Sequence, residues 1–177
     1  LPALQLRILV RILCIAAQFK PGAGHMPEIF QHHHCKTIHK ISFLRGTYTV
    51  SILSQRKEKN ILPENATVIK SIVSSTMAKP ICREYDINLL EVLTGFKYIG
   101  EKIKEFEENN EYNFIFGYEE SYGCLAGTYA RDKDAVVAVA LLCEALAYYK
   151  EKGISLWKQM INMYEKYGYY KEGVKQL

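Results

Sequence analysis

From about Val50 onward, two rhythms of apolar and polar positions alternate along the chain. Ala66-Thr67-Val68-Ile69-Lys70-Ser71-Ile72-Val73 is rich in β-branched residues and predicts a strand. Leu89–Leu93 predicts a shorter strand and Asn113–Phe116 a third. Helical stretches fall between and after them. Ile52–Asn60 reads as the end of a helix, stopped near Asn60 and Pro63. Ser75–Tyr85 predicts a helix that Pro80 would disturb. Phe96–Glu108 predicts another, with Glu101, Lys104, Glu105 and Glu108 on its solvated face and Asn109-Asn110 as its stop. Lys133–Lys152 predicts a long helix with Val136, Val137, Ala140, Leu141 and Ala145 as the inward stripe, closed by Gly153. Ser155 is placed to cap a last helix over Ser155–Tyr167. Strand–helix alternation with short connections gives the fold class: α/β, a three-layer-like mixed sheet flanked by helices. Three strands are few for such a sheet, so one or two more are expected.

The first 49 residues are a different kind of sequence. All five histidines lie there (His25, His32, His33, His34 and His39), with Pro2, Pro21 and Pro27. No sustained period runs through the segment, although Leu4–Ala17 could form a short cationic helix. Two parts are therefore expected: an unmatched segment 1–49 and an orderly domain 50–177. The chain of 177 residues, 49% apolar and 24% charged, suits one soluble domain with a real core. Its formal charge of +4 is unevenly spread. Residues 1–50 hold six Lys/Arg against one acid, a net of +5, while the remainder holds 17 against 18, a net of −1. The orderly part thus has no bias toward polyanions, which argues against a nucleic-acid partner. No apolar run is long enough for a membrane span. Leu1–Ala17 carries Arg7 and Arg11, and a chain beginning with leucine reads as a fragment or a misread start rather than as a targeting peptide. The five cysteines are odd in number and match no zinc or disulfide spacing. Cys82 and Cys143 sit in helix-like apolar patterns and are expected to be buried thiols in a reducing cytoplasm.

Chemistry concentrates in three short stretches. Phe114-Ile115-Phe116 ends at Gly117, and Tyr118-Glu119-Glu120-Ser121-Tyr122-Gly123 follows at once. An apolar strand that delivers two carboxylates and a hydroxyl to a glycine-bounded turn suits a polyhydroxylated ligand, since each carboxylate accepts from neighbouring hydroxyls. Thr94-Gly95-Phe96-Lys97 lies at a strand-to-helix turn, already an anion site to which Lys97 adds a full charge. Arg131-Asp132-Lys133-Asp134 opens the long helix. Each has a plainer reading. Glu119 and Glu120 could be a solvated turn, Lys97 a solvated helix position, and Arg131–Asp134 a surface ion-pair cluster in which Asp132 or Asp134 caps the helix. Tyr118 and Tyr122 are more simply packing residues. If the strand ends lie side by side, the three stretches converge into half of a sugar-phosphate site.

Thr94-Gly95-Phe96-Lys97-Tyr98-Ile99-Gly100, Gly117-Tyr118-Glu119-Glu120-Ser121-Tyr122-Gly123 and Arg131-Asp132-Lys133-Asp134, in that order, resemble the third domain of the phosphohexomutases, in particular the bacterial phosphoglucomutase/phosphomannomutase branch. The resemblance covers roughly Ile52 to the C-terminus. It implies an enzyme that interconverts hexose 1-phosphate and hexose 6-phosphate through a bisphosphorylated sugar, in a cleft between four domains. It implies substrate binding by Glu119, Glu120, Ser121, Lys97, Arg131, Gly117 and Gly123: Glu119 and Ser121 on sugar hydroxyls, Glu120 shaping the loop or assisting, Lys97 and Arg131 toward phosphate. It implies Mg2+ and a hexose 1,6-bisphosphate activator for the full-length family, with neither bound by this chain. The partners it implies are hexose phosphate and the remaining mutase domains. The phosphoserine loop (Thr-Ala-Ser-His-Asn-Pro), the magnesium loop (Asp-Gly-Asp-x-Asp-Arg) and the terminal phosphate loop (Arg-x-Ser-Gly-Thr) have no counterpart in the sequence. No catalytic residue is therefore assigned, and the chain by itself is expected to be inactive. A non-catalytic sugar-phosphate-binding or regulatory domain would use the same loop. Metal binding by His32-His33-His34-Cys35 and His39 has suitable ligand types but no known spacing.

Overall fold

A computed structural model describes residues 36–121 and 123–170, with side chains from Arg45 onward. The histidine cluster lies outside the described side chains, and Tyr122 outside the described residues. The elements run α1 (Lys36–Glu58), β1 (Ala66–Ser71), α2 (Ala78–Glu84), β2 (Asn88–Val92), α3 (Phe96–Asn109), β3 (Asn113–Tyr118), β4 (Cys124–Ala126), α4 (Ala135–Glu151) and α5 (Leu156–Tyr167). The sheet order is β2-β1-β3-β4. β1 pairs in parallel with both β2 and β3, and β4 returns antiparallel along β3. The mixed α/β architecture is the expected one, and β4, only three residues long, is the strand that pattern reading could not see.

Two apolar layers cover the sheet. On one face Val68, Phe116 and Tyr118 pack with residues of α1, α2, α4 and α5. On the other, Ile69, Val92 and Leu125 meet Phe96, Ile99, Ile103 and Phe106, the inner face of α3. Those four positions recur every three or four residues, so α3 is amphipathic and was legible in the sequence. β1 is buried at every position, as a central parallel strand covered on both faces should be. The chain steps from β1 to β2 over one face, then returns past β1 to β3 over the other. The loop leaving β1 leads through α2 toward β2, whereas that leaving β3 turns back into β4 on the other side, so the two diverge at the ends of neighbouring strands, where α/β sheets open a crevice.

Three expectations change. α1 is far longer than the predicted Ile52–Asn60 tail, and every residue from Arg45 to Leu53 is buried. A helix enclosed on all sides shows no apolar rhythm, which is why it escaped notice. α2 starts at Ala78, so Pro80 falls in its first turn, where a missing N–H disturbs nothing. On α4 the buried side is Ala138, Leu142, Ala145 and Tyr149. Of the predicted stripe only Ala145 is fully buried, Val136 is 79% exposed, and Cys143 is exposed rather than buried. Apolar residues surround almost the whole circumference of α4, so sequence alone does not choose its inner face.

Candidate functional site

The loops after β1, β2 and β3 emerge at the same edge of the sheet, because those three strands are parallel. β3 brings the carboxylate loop there. Gly117 lies opposite Ile69 in register, and a Cβ on it would come within 3.0 Å of Ile99 and Phe114 side-chain atoms. Its bareness lets α3 seat closely under the strand. Tyr118, the next residue, is buried against Phe116, as a packing residue.

Glu119 is only 6% exposed although it carries a carboxylate. Ser121 Oγ donates to its Oε1 at 2.6 Å, and Lys133 Nζ stands 3.5 Å from the same oxygen. The Gly123 N–H donates to Ser121 Oγ at 3.1 Å, and the Glu119 N–H to the Gly123 carbonyl at 3.2 Å. The loop is thus closed on itself, with Glu119 Oε2 taking part in neither side-chain contact. Gly123 is required for this closure: a Cβ there would lie 2.2 Å from Lys133 Cδ and 3.0 Å from its Cβ. The lysine stem runs through the space that glycine leaves empty.

Glu120 turns the other way. Its Oε2 accepts from Ser71 Oγ at 2.8 Å, across the divergence between β1 and β3. Arg45, itself 6% exposed, reaches up from α1 to donate from Nη2 to the Ser121 carbonyl at 2.7 Å, and its guanidinium lies 5.8 Å from the Tyr118 ring centroid. The carboxylate loop is therefore held from beneath by two long-range hydrogen bonds.

The cationic candidates separate. Lys97 is exposed at the start of α3, with Nζ 4.8 Å from the Tyr98 ring centroid. The preceding Gly95 has φ of +120°, a turn that a side chain would strain. Arg131 hydrogen-bonds the carbonyls of Thr128 and Ala130 and pairs with Glu107 in the last turn of α3. At 1.5 Å rise per residue, Glu107 lies about 15 Å along the helix from Lys97. Gly100 makes this packing possible, since a Cβ on it would lie 2.6 Å from the Arg131 carbonyl oxygen. Of the lysines and arginines in the three motif stretches, the one that meets Glu119 is Lys133. Burial pulls its ammonium down, but the hydrogen bond to Asp132 and the charges of Glu119 and Asp132 outweigh this and raise its pKa. Asp132 is held low, first by the Lys133 backbone N–H. Asp134 caps α4, accepting from the N–H groups of Val136 at 2.7 Å and Val137 at 3.3 Å, and the Tyr129 hydroxyl that donates to it is the main cause of its lowered pKa.

The structure thus brings Glu119, Ser121, Gly123 and Lys133 together and sets Glu120 on a strut, while Lys97 lies over Tyr98 and Arg131 pairs with Glu107. Sequence reading missed three members. Lys133 stands in the Arg131–Asp134 stretch with no local pattern to distinguish it from its neighbours. Ser71 falls inside the predicted strand Ala66–Val73, where nothing marks it out. Arg45 lay in the segment set aside for want of pattern. At the rim Ile72, Val73 and Leu93 stand more than half exposed. Among the described residues no group of three or more His, Cys, Asp or Glu could hold a metal ion, and no helix is long and apolar enough to cross a membrane.

Residues 45–167 match the family described as phosphoglucomutase/phosphomannomutase, alpha/beta/alpha domain III. A phosphoglucomutase of Staphylococcus epidermidis is 46% identical over 97 residues, 55% of this chain and 17% of that protein. Human glucose 1,6-bisphosphate synthase is 34% identical over 134 residues, 76% of this chain and 21% of that protein. The chain thus spans about a fifth of the length of these relatives. Among solved structures, a putative phosphomannomutase from Thermus thermophilus superposes with a TM-score of 0.52 at 17% identity, covering 69% of this chain and 25% of that one. The parafusin phosphoglucomutase of Paramecium in its open form gives 0.52 at 21% identity, covering 70% and 21%. These two likenesses concern the fold.

Proposed function

Because the chain belongs to the phosphoglucomutase/phosphomannomutase family and carries its domain III, we propose that Glu119 and Ser121 grip the hydroxyls of a hexose phosphate. One observation carries the reading. Glu119 is buried, and among the described residues its side chain is anchored through Oε1, which leaves Oε2 as an acceptor on a rigid base. A carboxylate fixed in this way binds neighbouring sugar hydroxyls without first having to be ordered. Gly117 and Gly123 supply the close packing that fixes it, and Glu120 shapes the loop through Ser71. Lys133 balances the Glu119 charge and offers an ammonium beside the sugar. Lys97, at the mouth of α3, faces the phosphate, and Arg131 joins it only by releasing Glu107.

The complete protein, on this reading, interconverts hexose 1-phosphate and hexose 6-phosphate through a bisphosphorylated sugar in the cytoplasm. Such an intermediate must turn over between two half-reactions. A grip on the hydroxyls common to both orientations serves either one without committing to a phosphate. Phosphoryl transfer is mainly positioning and charge stabilisation, so the nucleophile and the magnesium ion can come from elsewhere in the protein. The described residues offer no donor set for that ion. The remaining mutase domains supply the other walls of the cleft and cover Ile72, Val73 and Leu93. The isolated chain is accordingly a binding domain without turnover.

Ligand-observed NMR with glucose 1-phosphate and glucose 6-phosphate tests this. Both isomers should bind the wild-type chain weakly and with similar affinity, and a folded Glu119→Gln/Ser121→Ala variant should lose both by tenfold or more. Equal binding by the variant, or turnover by the purified wild-type chain, would refute it.

A further inference from the structure

We propose that Ser71 is a positioning residue for the sugar loop, acting through Glu120. This deepens the proposed function and rests on Glu119 and Ser121 being the sugar contacts. The observation is a chain of buried polar groups that the sugar contacts themselves do not use. Ser71 and Ser74 are almost wholly buried, and their Oγ atoms are 2.7 Å apart. Ser71 Oγ also lies 2.8 Å from Glu120 Oε2. An ionised carboxylate only accepts, so the single Ser71 proton goes to Glu120, and Ser74 must then donate to Ser71. The proton order is fixed as Ser74 to Ser71 to Glu120.

The base of this chain is equally determined. Lys70 is fully buried, yet it is charge-paired with Glu91, its register partner on β2, at 2.8 Å. Its remaining donors go to the carbonyls of Ser71 at 3.2 Å and Ser74 at 3.0 Å. The Ser74 N–H returns to the Ser71 carbonyl at 3.0 Å, and the Ile72 N–H goes to the Val92 carbonyl at 2.8 Å. The turn after β1 is therefore locked before it meets the loop after β3. Ser71 is the one side chain of that turn bonded across to Glu120. Since Glu120 lies between Glu119 and Ser121, fixing its side chain sets the pitch at which both neighbours face a ligand. A hydrogen bond to a charged acceptor is among the stronger ones, so its loss should move the loop measurably.

The test uses the full chain, 15N-labelled, as wild type, Ser71→Ala, Glu120→Ala and the double variant. Ser71→Ala and Glu120→Ala should shift the Glu119 and Gly123 amides in the same direction. The double variant should reproduce either single one, because the two residues act as a unit. In the glucose 6-phosphate titration, Ser71→Ala should weaken binding about tenfold in Kd and add nothing in the Glu120→Ala background. Unmoved Glu119 and Gly123 amides in folded Ser71→Ala, or shifts that sum in the double variant, would overturn the proposal. Should Ser71→Ala fail to fold, Glu120→Ala decides alone. It must move the Ser74 amide across the divergence as well as that of Gly123, and an unmoved Ser74 would overturn the proposal. A wild-type chain that fails to bind glucose 6-phosphate counts against the sugar reading, whereas the amide shifts still decide the strut.

Discussion

Replacing Gly100 with alanine should destabilise the domain, although alanine is the better helix former. Within a helix the exchange ordinarily gains about 0.8–1 kcal/mol. At this position the new Cβ would lie 2.6 Å from the Arg131 carbonyl oxygen and 3.5 Å from the Arg131 carbonyl carbon and Cβ. A backbone oxygen cannot swing aside as a side-chain tip can, so α3 or the segment carrying Arg131 must move. Overpacking of this kind costs about 1–3 kcal/mol, leaving a net loss of about 1 kcal/mol after the propensity gain. For a chain of this length that lowers Tm by about 2–4 °C. The assay is a pair of measurements: thermal unfolding of the whole chain, and helicity of a peptide spanning α3. Alanine should raise the helicity of the peptide while lowering the Tm of the protein. A rise in both would refute the close approach of α3 to the Arg131 segment, and with it the route by which Lys133 reaches Glu119.

Other outcomes follow from the same contacts. Arg45→Lys keeps the charge but loses the planar fork beneath the loop, and should cost about 1–2 kcal/mol in urea unfolding; an unchanged midpoint would show that the Ser121 carbonyl does not depend on Arg45. Asp134→Ala removes the cap of α4 and should cost about 1 kcal/mol, with a smaller loss for Asp134→Asn. The carboxylates of Glu91, Asp132 and Asp134 are all held below their ordinary values of 4.5, 3.8 and 3.8. Depressed acids stabilise above their unfolded pKa, so stability should be level at neutral pH and fall as pH drops below about 4.5. Glu91→Gln should flatten the start of that fall, and an unaltered acid limb would contradict the Lys70–Glu91 pairing. Burial raises the thiols of Cys82 and Cys124 to about 12, whereas Cys143 is exposed. Peptide mapping after brief alkylation should therefore find Cys143 modified well before Cys82 and Cys124.

Where the sequence was legible, one side of an element met solvent and the other did not. α3 announced itself because its inner face of Phe96, Ile99, Ile103 and Phe106 is backed by charge. The β1 strand announced itself through β-branching, and the carboxylate loop through the abrupt change from Phe116 to Glu119. The signal vanished where burial was uniform. Arg45 through Leu53 is enclosed on every side, so Thr47, Thr49 and Ser51 alternate with apolar residues without marking a face. α4 failed for the complementary reason, since its apolar residues run round the helix and only tertiary packing selects Ala138 and Leu142 over Val136 and Ala140. The site followed the same division. The motif residues were visible as a string, but the contacts that fix them come from Ser71, Arg45 and Lys133, which are 49, 76 and 14 residues from Glu120, Ser121 and Glu119. Such distant partners leave no local pattern to read.

On the proposed function, a preformed carboxylate loop recognises hexose phosphate. Amide chemical-shift mapping of the 15N-labelled chain, titrated with glucose 6-phosphate against a matched titration with inorganic phosphate, tests it most directly. The sugar phosphate should shift Glu119, Ser121 and Gly123 in a saturable manner that inorganic phosphate does not reproduce. Identical responses to both ligands, or shifts confined to the start of α3 around Lys97, would mean that the chain senses phosphate alone and that the loop is not a sugar site.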